Sequence, residues 1–196
     1  MGKRTGMISI FLGAALILSA LFLYGYNRYE DAKSGSRAEA VVKRVKRVIP
    51  ETVPSENEEG EQIPVTEMPE IIIDDYGYVG YITIPDLSVE LPIMSDWSYE
   101  KLRIAPCRQF GSSRTDDLVI AAHNYDSFFG GLKNLSPGAA VLVTDMDGTV
   151  HRYQIVKIET LEPTDVSTVQ YSGYDLVLYT CTYGGKTRVT TFCSRI

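Results

Sequence analysis

The chain has 196 residues, 44% of them apolar and 22% charged, proportions that fit one medium globular domain and exclude a disordered chain or a coiled coil. Its net charge of −6 is unevenly laid out: residues 1–50 hold 9 basic and 3 acidic side chains, residues 51–75 hold 0 and 9, and residues 76–196 hold 10 and 13. The mildly acidic main region has no Lys/Arg cluster to neutralise phosphates, so nucleic acid is not an expected partner.

From Met7 to Tyr24 the chain reads MISIFLGAALILSALFLY, 18 residues without a charge. Extended to Tyr26, it makes roughly 30 Å of helix, enough to span a bilayer core. Residues 7–26 are therefore read as a transmembrane anchor. Lys3 and Arg4 precede it and favour a cytoplasmic N-terminus over residues 1–6, with the body outside the cell membrane; Arg28 opposes that bias. A cleaved signal peptide is disfavoured by the length of the apolar run and the lack of an A-x-A site.

Residues 27–75 read as stalk and spacer. In RAEAVVKRVKRVI, apolar residues at Ala38, Val41, Val42, Val45, Val48 and Ile49 repeat every three to four positions, the period of a short amphipathic helix, here expected to be solvated. The ETVPSENEEGEQIPVTEMPE stretch that follows is acidic and broken by prolines, a composition that cannot bury a core.

From Tyr76 the pattern changes to short β-branched and aromatic segments divided by Gly, Pro, Asp and Asn: GYITI (80–84), SVELPI (88–93), DLVIAAH (117–123), AAVLVTD (139–145), TVHRYQIVKIETL (149–161), YDLVLYTC (174–181) and RVTTFC (188–193). This predicts an all-β domain over 76–196, a closed barrel of seven to eight strands. Asp147-Gly148 marks a hairpin. One short helix is predicted within SDWSYEKLRIAP and another within SFFGGLKNL.

Three residues stand out chemically. Alternation along YDLVLYTC puts Cys181 at the strand's mouth on the face of Val177 and Tyr179. The six-residue loop from Thr182 to Thr187 would then pair Cys181 with Arg188 across an antiparallel ladder, where a cation beside the thiol would favour its thiolate; the alternative is a half-buried structural Cys and an exposed Arg. DLVIAAHNY ends an apolar strand on His123, a side chain suited to carrying the proton that a leaving amine needs. His151, mid-strand after the hairpin, reads as a surface residue. Cys193 lies five residues beyond Arg188, on the opposite face and roughly 17 Å away. Cys107 sits in a segment read as irregular, where a structural thiol is expected and a disulfide with Cys193 is an open option. Two histidines and three cysteines without CxxC spacing make no zinc site, and no acidic array suggests calcium, so neither metal nor cofactor is expected.

GYITIPDLSVELPI, LVIAAHNYDSFFGGLKNL and LVLYTCTYGGKTRVTTF resemble, in order, three sequence blocks of the sortases, cysteine transpeptidases anchored on Gram-positive cell surfaces. The resemblance runs from about Tyr78 to Phe192 and extends to the anchor and spacer. It implies an eight-stranded barrel that cleaves an LPXTG-like sorting signal between Thr and Gly through a thioester and passes the acyl group to an amine. Residue by residue, it makes Cys181 the nucleophile, His123 the proton carrier and Arg188 the donor to substrate and oxyanion, with Arg195 a weaker alternative at the strand's end. The implied partners are surface proteins with a C-terminal sorting signal and a peptidoglycan precursor or other amine. Pilin-polymerising sortases commonly carry an Asp-Pro-aromatic lid and a second, C-terminal membrane helix; neither is seen here, which favours surface-protein anchoring.

Two competing readings are a membrane-tethered, non-catalytic binding barrel with a structural Cys181, and an L,D-transpeptidase. The latter would need an SHGC-like block, but Gly184 and Gly185 follow this cysteine. Thiol reactivity separates the enzyme from the binder.

Overall fold

The computed structural model describes residues 2–50 and 66–196. The spacer predicted after the stalk therefore falls largely, over 51–65, outside the described residues. A helix α1, Gly2–Val48, carries the whole apolar N-terminal run and continues without a break through the predicted stalk. It is long and apolar enough to cross a membrane, and its large side chains from Met7 to Tyr29 are exposed. The chain divides into two units, residues 1–33 and 34–196.

Within the second unit the last turns of α1 are packed rather than solvated. Ala38, Val42 and Val45, spaced as one helical stripe, are 0–3% exposed. Val48 stays exposed. Ion pairs flank the stripe: Lys46 Nζ to Glu90 at 2.6 Å and Arg44 Nη1 to Asp74 at 2.5 Å. Both are solvent-exposed, so the buried apolar stripe contributes more than they do.

Nine strands follow among the described residues: β1 Ile71–Ile73, β2 Tyr76–Ile84, β3 Val89–Met94, β4 Cys107–Phe110, β5 Leu118–Ala122, β6 Ala140–Asp145, β7 Val150–Leu161, β8 Leu176–Cys181 and β9 Arg188–Arg195. Their order is β1-β2-β3-β4-β5-β8-β9-β7-β6, and β6 pairs back onto β2, so eight strands close into the predicted barrel with β1 as an added edge. Closure demands a close approach. Gly80, at φ +148°, lies where any Cβ would come within 2.0 Å of the Thr144 carbonyl oxygen, and the β2–β3 register shifts beside it. Inward-facing Ile82, Ile93, Ile120, Val143, Ile155 and Leu178 fill the interior. β5 is buried at every position. It pairs in parallel with β8 and is covered on both faces, which explains its unbroken apolar run.

Several expectations change. The predicted helices shrink to 3₁₀ turns at Lys101–Arg103 and Leu132–Asn134, while a short helix α2, Val166–Gln170, lies in the β7–β8 connection. Cys107 opens strand β4 rather than an irregular segment; four residues with a register shift, between Pro106 and Gly111, leave no period-2 pattern to read. All three cysteines are free, so the Cys107–Cys193 disulfide is not formed. The two thiols lie in separate apolar clusters.

His151 is 8% exposed and not the surface residue its strand suggested. β7 alternates, and His151 takes the inward position shared with Tyr153 and Ile155. It joins a polar network at the barrel end remote from Cys181. The fully buried Asp145 carboxylate accepts hydrogen bonds from Ser113 Oγ (2.8 Å) and Arg114 Nε (3.2 Å), and meets His151 Nε2 at 3.1 Å. Arg195 Nη1 stands 2.6 Å from His151 Nδ1. Arginine can only donate, so Nδ1 accepts, and a neutral His151 carries its proton on Nε2 toward Asp145. Arg195 also holds Asp116 and the Ser113 carbonyl, which ties the last strand to the β4–β5 loop. Asp145→Asn leaves these donors without their charge, and the full chain should lose about 3–5 kcal/mol in urea unfolding. Asp147→Asn, at a half-exposed rim position, should cost about 1 kcal/mol or less. Equal losses would mean that Asp145 does not organise the network.

Candidate active site

Three adjacent strands bring the predicted residues into one row. β5 and β8 run parallel in register from Leu118↔Leu176 to Ala122↔Thr180, so the next residues on each, His123 and Cys181, emerge side by side at the same end. Thr180 Oγ1 donates to the Ala122 carbonyl at 2.9 Å and pins the strands together one residue before the site. On the other side, β8 and β9 pair antiparallel with Cys181 directly opposite Arg188, as predicted. Strands in a sheet stand about 4.8 Å apart, so the three residues span one short row with Cys181 in the middle.

The turn that joins β8 to β9 is closed by Thr182 N–H donating to the Thr187 carbonyl at 2.9 Å. Gly184 and Gly185 both take positive φ there, at +85° and +75°. The Arg188 guanidinium is anchored through Nη1 to the Gly185 and Thr187 carbonyls, each at 3.0 Å. Its Nε and Nη2 donors make no hydrogen bond among the described residues. One edge of the fork is held by the turn, and the rest is open to a ligand.

Cys181 is half-buried, whereas Cys107 and Cys193 are fully buried. Burial pushes the Cys107 and Cys193 thiols up to about 12, which keeps them protonated and inert. His123 lies under its own loop: Phe129 N–H donates to the His123 carbonyl at 3.3 Å, and the Tyr125 ring sits 5.0 Å from the imidazole. Its Nε2 is buried and has no hydrogen-bond partner among the described residues. Burial first, and the positive charge of Arg103 second, hold the imidazole below the ordinary histidine range, so it is neutral at neutral pH.

Beside this row a cavity of about 210 Å³ is lined by Trp97, Phe110, Leu161, Val166, Tyr179 and Arg188, among others. Tyr179 shares the outward face of Cys181, and its hydroxyl donates to Gln109 Oε1 at 2.5 Å, which bridges β8 and β4 beneath the cavity. A larger cleft of about 670 Å³ shares Trp97, Gln109 and Phe110 with it but touches none of His123, Cys181 and Arg188. Alternation in the sequence already put Tyr179 on the Cys181 face; nothing in it pointed to Gln109 or Arg103, which come from strand β4 and a 3₁₀ turn. Among the described residues no cluster of His, Cys, Asp and Glu could hold a metal. Arg195 lies at the opposite end of β9, committed to the His151 network.

A model of the sortase domain matches residues 82–196, more than half of the chain. The chain therefore belongs to the sortase family, a family of cysteine transpeptidases. Among solved structures it resembles sortase C1 from Streptococcus agalactiae, with 26% identity and a TM-score of 0.54 over 64% of this chain and 70% of the other. It also resembles sortase C from Streptococcus pneumoniae, a structure described in terms of pilin substrate specificity, at 22% identity and TM-score 0.54 over 86% and 89% of the two chains. Sortase E1 from Streptomyces coelicolor matches at 20% identity and TM-score 0.52, over 61% of this chain and 88% of that one. The last two likenesses speak to the fold alone. Comparison with curated protein sequences gives no match.

The differing environments of the thiols lead to a direct test. Iodoacetamide should label the native chain once, at Cys181, and all three cysteines after unfolding. Labelling of native Cys107 or Cys193 at a comparable rate would contradict the burial that sets Cys181 apart.

Proposed function

We propose that the protein is a membrane-anchored sortase that cleaves an LPXTG-like sorting signal through a thioester on Cys181 and transfers the acyl group to a cell-wall precursor amine. The observation that carries this reading is the register that aligns His123, Cys181 and Arg188 on three neighbouring strands. Cys181 Sγ attacks the threonine carbonyl carbon while its proton passes to His123, and the carbonyl oxygen takes the negative charge. The open donors of Arg188 meet that oxyanion without any change of protonation state. As the intermediate collapses, the C–N bond breaks and His123 returns the proton to the leaving amine. The acceptor amine then attacks the thioester, loses its proton to His123, and the C–S bond breaks to release Cys181. The cavity beside Tyr179, with Trp97, Phe110 and Leu161 next to Gln109, Glu162 and Arg188 in its lining, is suited to holding the side chains ahead of the scissile bond.

The supporting argument for Arg188 is its place across the ladder and its half-free guanidinium. Arg188→Lys keeps the charge but loses the planar fork, and removal of one oxyanion donor costs about 2.7–4 kcal/mol, roughly 10²–10³ in kcat. Steady-state kinetics should give that loss with KM little changed. Arg195→Lys should act on stability and leave turnover near the wild-type value. The reverse ranking would make Arg195 the catalytic cation.

His123 must be neutral to accept the thiol proton. Because burial lowers its pKa, kcat/KM should hold steady on acidification until the pH falls below the ordinary histidine value of 6.5, and only then decline. A decline centred above 6.5 would contradict a buried imidazole in this role.

Lys3 and Arg4 ahead of the apolar run favour a cytoplasmic N-terminus and an extracytoplasmic barrel at the cell membrane, where sorting-signal proteins and peptidoglycan precursors meet. Protease added to intact protoplasts should then remove the barrel. Protection until the membrane is lysed would reverse the orientation. Pilin polymerisation is the second reading, suggested by the shared fold with a sortase C described in terms of pilin substrate specificity; a lysine side chain on a pilin subunit, rather than a peptidoglycan amine, would then be the preferred acceptor.

A further inference from the structure

The last turns of α1 meet both the loop that carries His123 and the 3₁₀ turn that carries Arg103. Ser34 Oγ donates to the Arg103 carbonyl at 3.1 Å, at the end of the 3₁₀ turn whose charge reaches His123. One residue on, Gly35 lies so close to Ser127, four residues past His123, that a Cβ on it would stand 2.8 Å from Ser127 Cβ. One helical turn further, Ala38 is fully buried in the apolar cluster that also holds Phe128 and Phe129. Neither partner is free to yield. The helix is held by Val42 and Val45, and the loop by Phe128, Phe129 and the bond from Phe129 N–H to the His123 carbonyl.

Resting on the reading of His123 as proton carrier, we propose that residues 34–38 are positioning residues for catalysis: Gly35 and Ala38 hold the His123 loop, Ser34 holds the 3₁₀ turn that carries Arg103, and together they fix where the imidazole stands beside Cys181. The predicted stalk is thereby part of the active-site scaffold. Gly35 is the telling position. Glycine in a helix interior is otherwise unfavourable by about 1 kcal/mol against alanine, so its place here is explained by contact and not by helix formation. Groups around the imidazole are Arg103, Tyr125 and the thiol of Cys181.

The test uses the full chain in detergent micelles with isotopically labelled histidine. There are two histidines, and His151, at the far end of the barrel, is the internal control. Gly35→Ala should strengthen the helix yet push Ser127 away, open the loop and solvate the imidazole. The ring-proton titration of His123 should move to higher pH, that of His151 should stay, and turnover of a sorting peptide should fall by roughly tenfold to a hundredfold with KM unchanged. Ser127→Gly removes the clashing atom, and the double variant should recover both titration and turnover. Should Gly35→Ala fail to fold, Ser34→Ala, which deletes one hydroxyl, should move His123 in the same direction. An unmoved His123 titration with wild-type turnover, or a defect that Ser127→Gly does not repair, would overturn the clamp. If the wild-type chain turns over no sorting peptide, the transpeptidase reading fails on its own and the His123 titration still decides whether the helix positions the loop.

Discussion

The parallel pairing of β5 with β8 is the constraint on which the site depends. Without it, His123 and Cys181, 58 positions apart in sequence, have no reason to meet. A slip of one residue would turn every side chain of β8 to the other face, sending Cys181 into the barrel and Leu178 and Leu176 out of it. β8 buries Leu176, Leu178 and Thr180 on its inner face and leaves Tyr179 and Cys181 half-buried on its outer one, so the cost of moving the leucines out of the interior locks the register. The bond from Thr180 to the Ala122 carbonyl holds it at the end where the chemistry sits. β9 then needs only a tight turn to bring Arg188 opposite Cys181.

Around this row the molecule separates its tasks by position. The far end of the barrel is closed by a charged network centred on Asp145, which ties the last strand, the β6–β7 hairpin and the β4–β5 loop together. The near end stays open, with few fixed polar bonds beyond those that orient Arg188. That contrast makes chemical sense: buried charges with full sets of partners rigidify, whereas a site with the function proposed above, admitting a peptide and then an amine, needs donors left unspent. His123 occupies the middle ground, its backbone held by the loop and its Nε2 buried and without a hydrogen-bond partner among the described residues, an acceptor left open for the proton that the proposed mechanism takes from the Cys181 thiol.

Much of this was legible in the sequence because the relevant signals are local. Short β-branched and aromatic runs between turn residues mark seven of the strands, and the loop length between Cys181 and Arg188 sets their pairing. Other parts were hidden for physical reasons. β4 is four residues long with a bulge, too short for a pattern. The burial of His151 goes with partners at Asp145, across its own hairpin, and at Arg195, 44 positions away, and no spacing pattern in the sequence links the three. The stripe at Ala38, Val42 and Val45 was visible as a period, but nothing in one chain's sequence tells a solvated amphipathic helix from one seated on a barrel wall; Arg103 and Ser127, which meet Ser34 and Gly35 of the same helix, lie 69 and 92 positions from them.

The central claim is that Cys181 forms an acyl-enzyme with a sorting signal. It is tested most directly by incubating the full chain with a library of five-residue signal peptides and hydroxylamine, which intercepts a thioester as a hydroxamate. The account predicts a hydroxamate of the fragment that ends in threonine, a matching mass adduct on Cys181 when hydroxylamine is left out, and neither product from Cys181→Ala. Hydroxamate formed equally by Cys181→Ala, or no adduct on a wild-type Cys181 that iodoacetamide still labels, would contradict it.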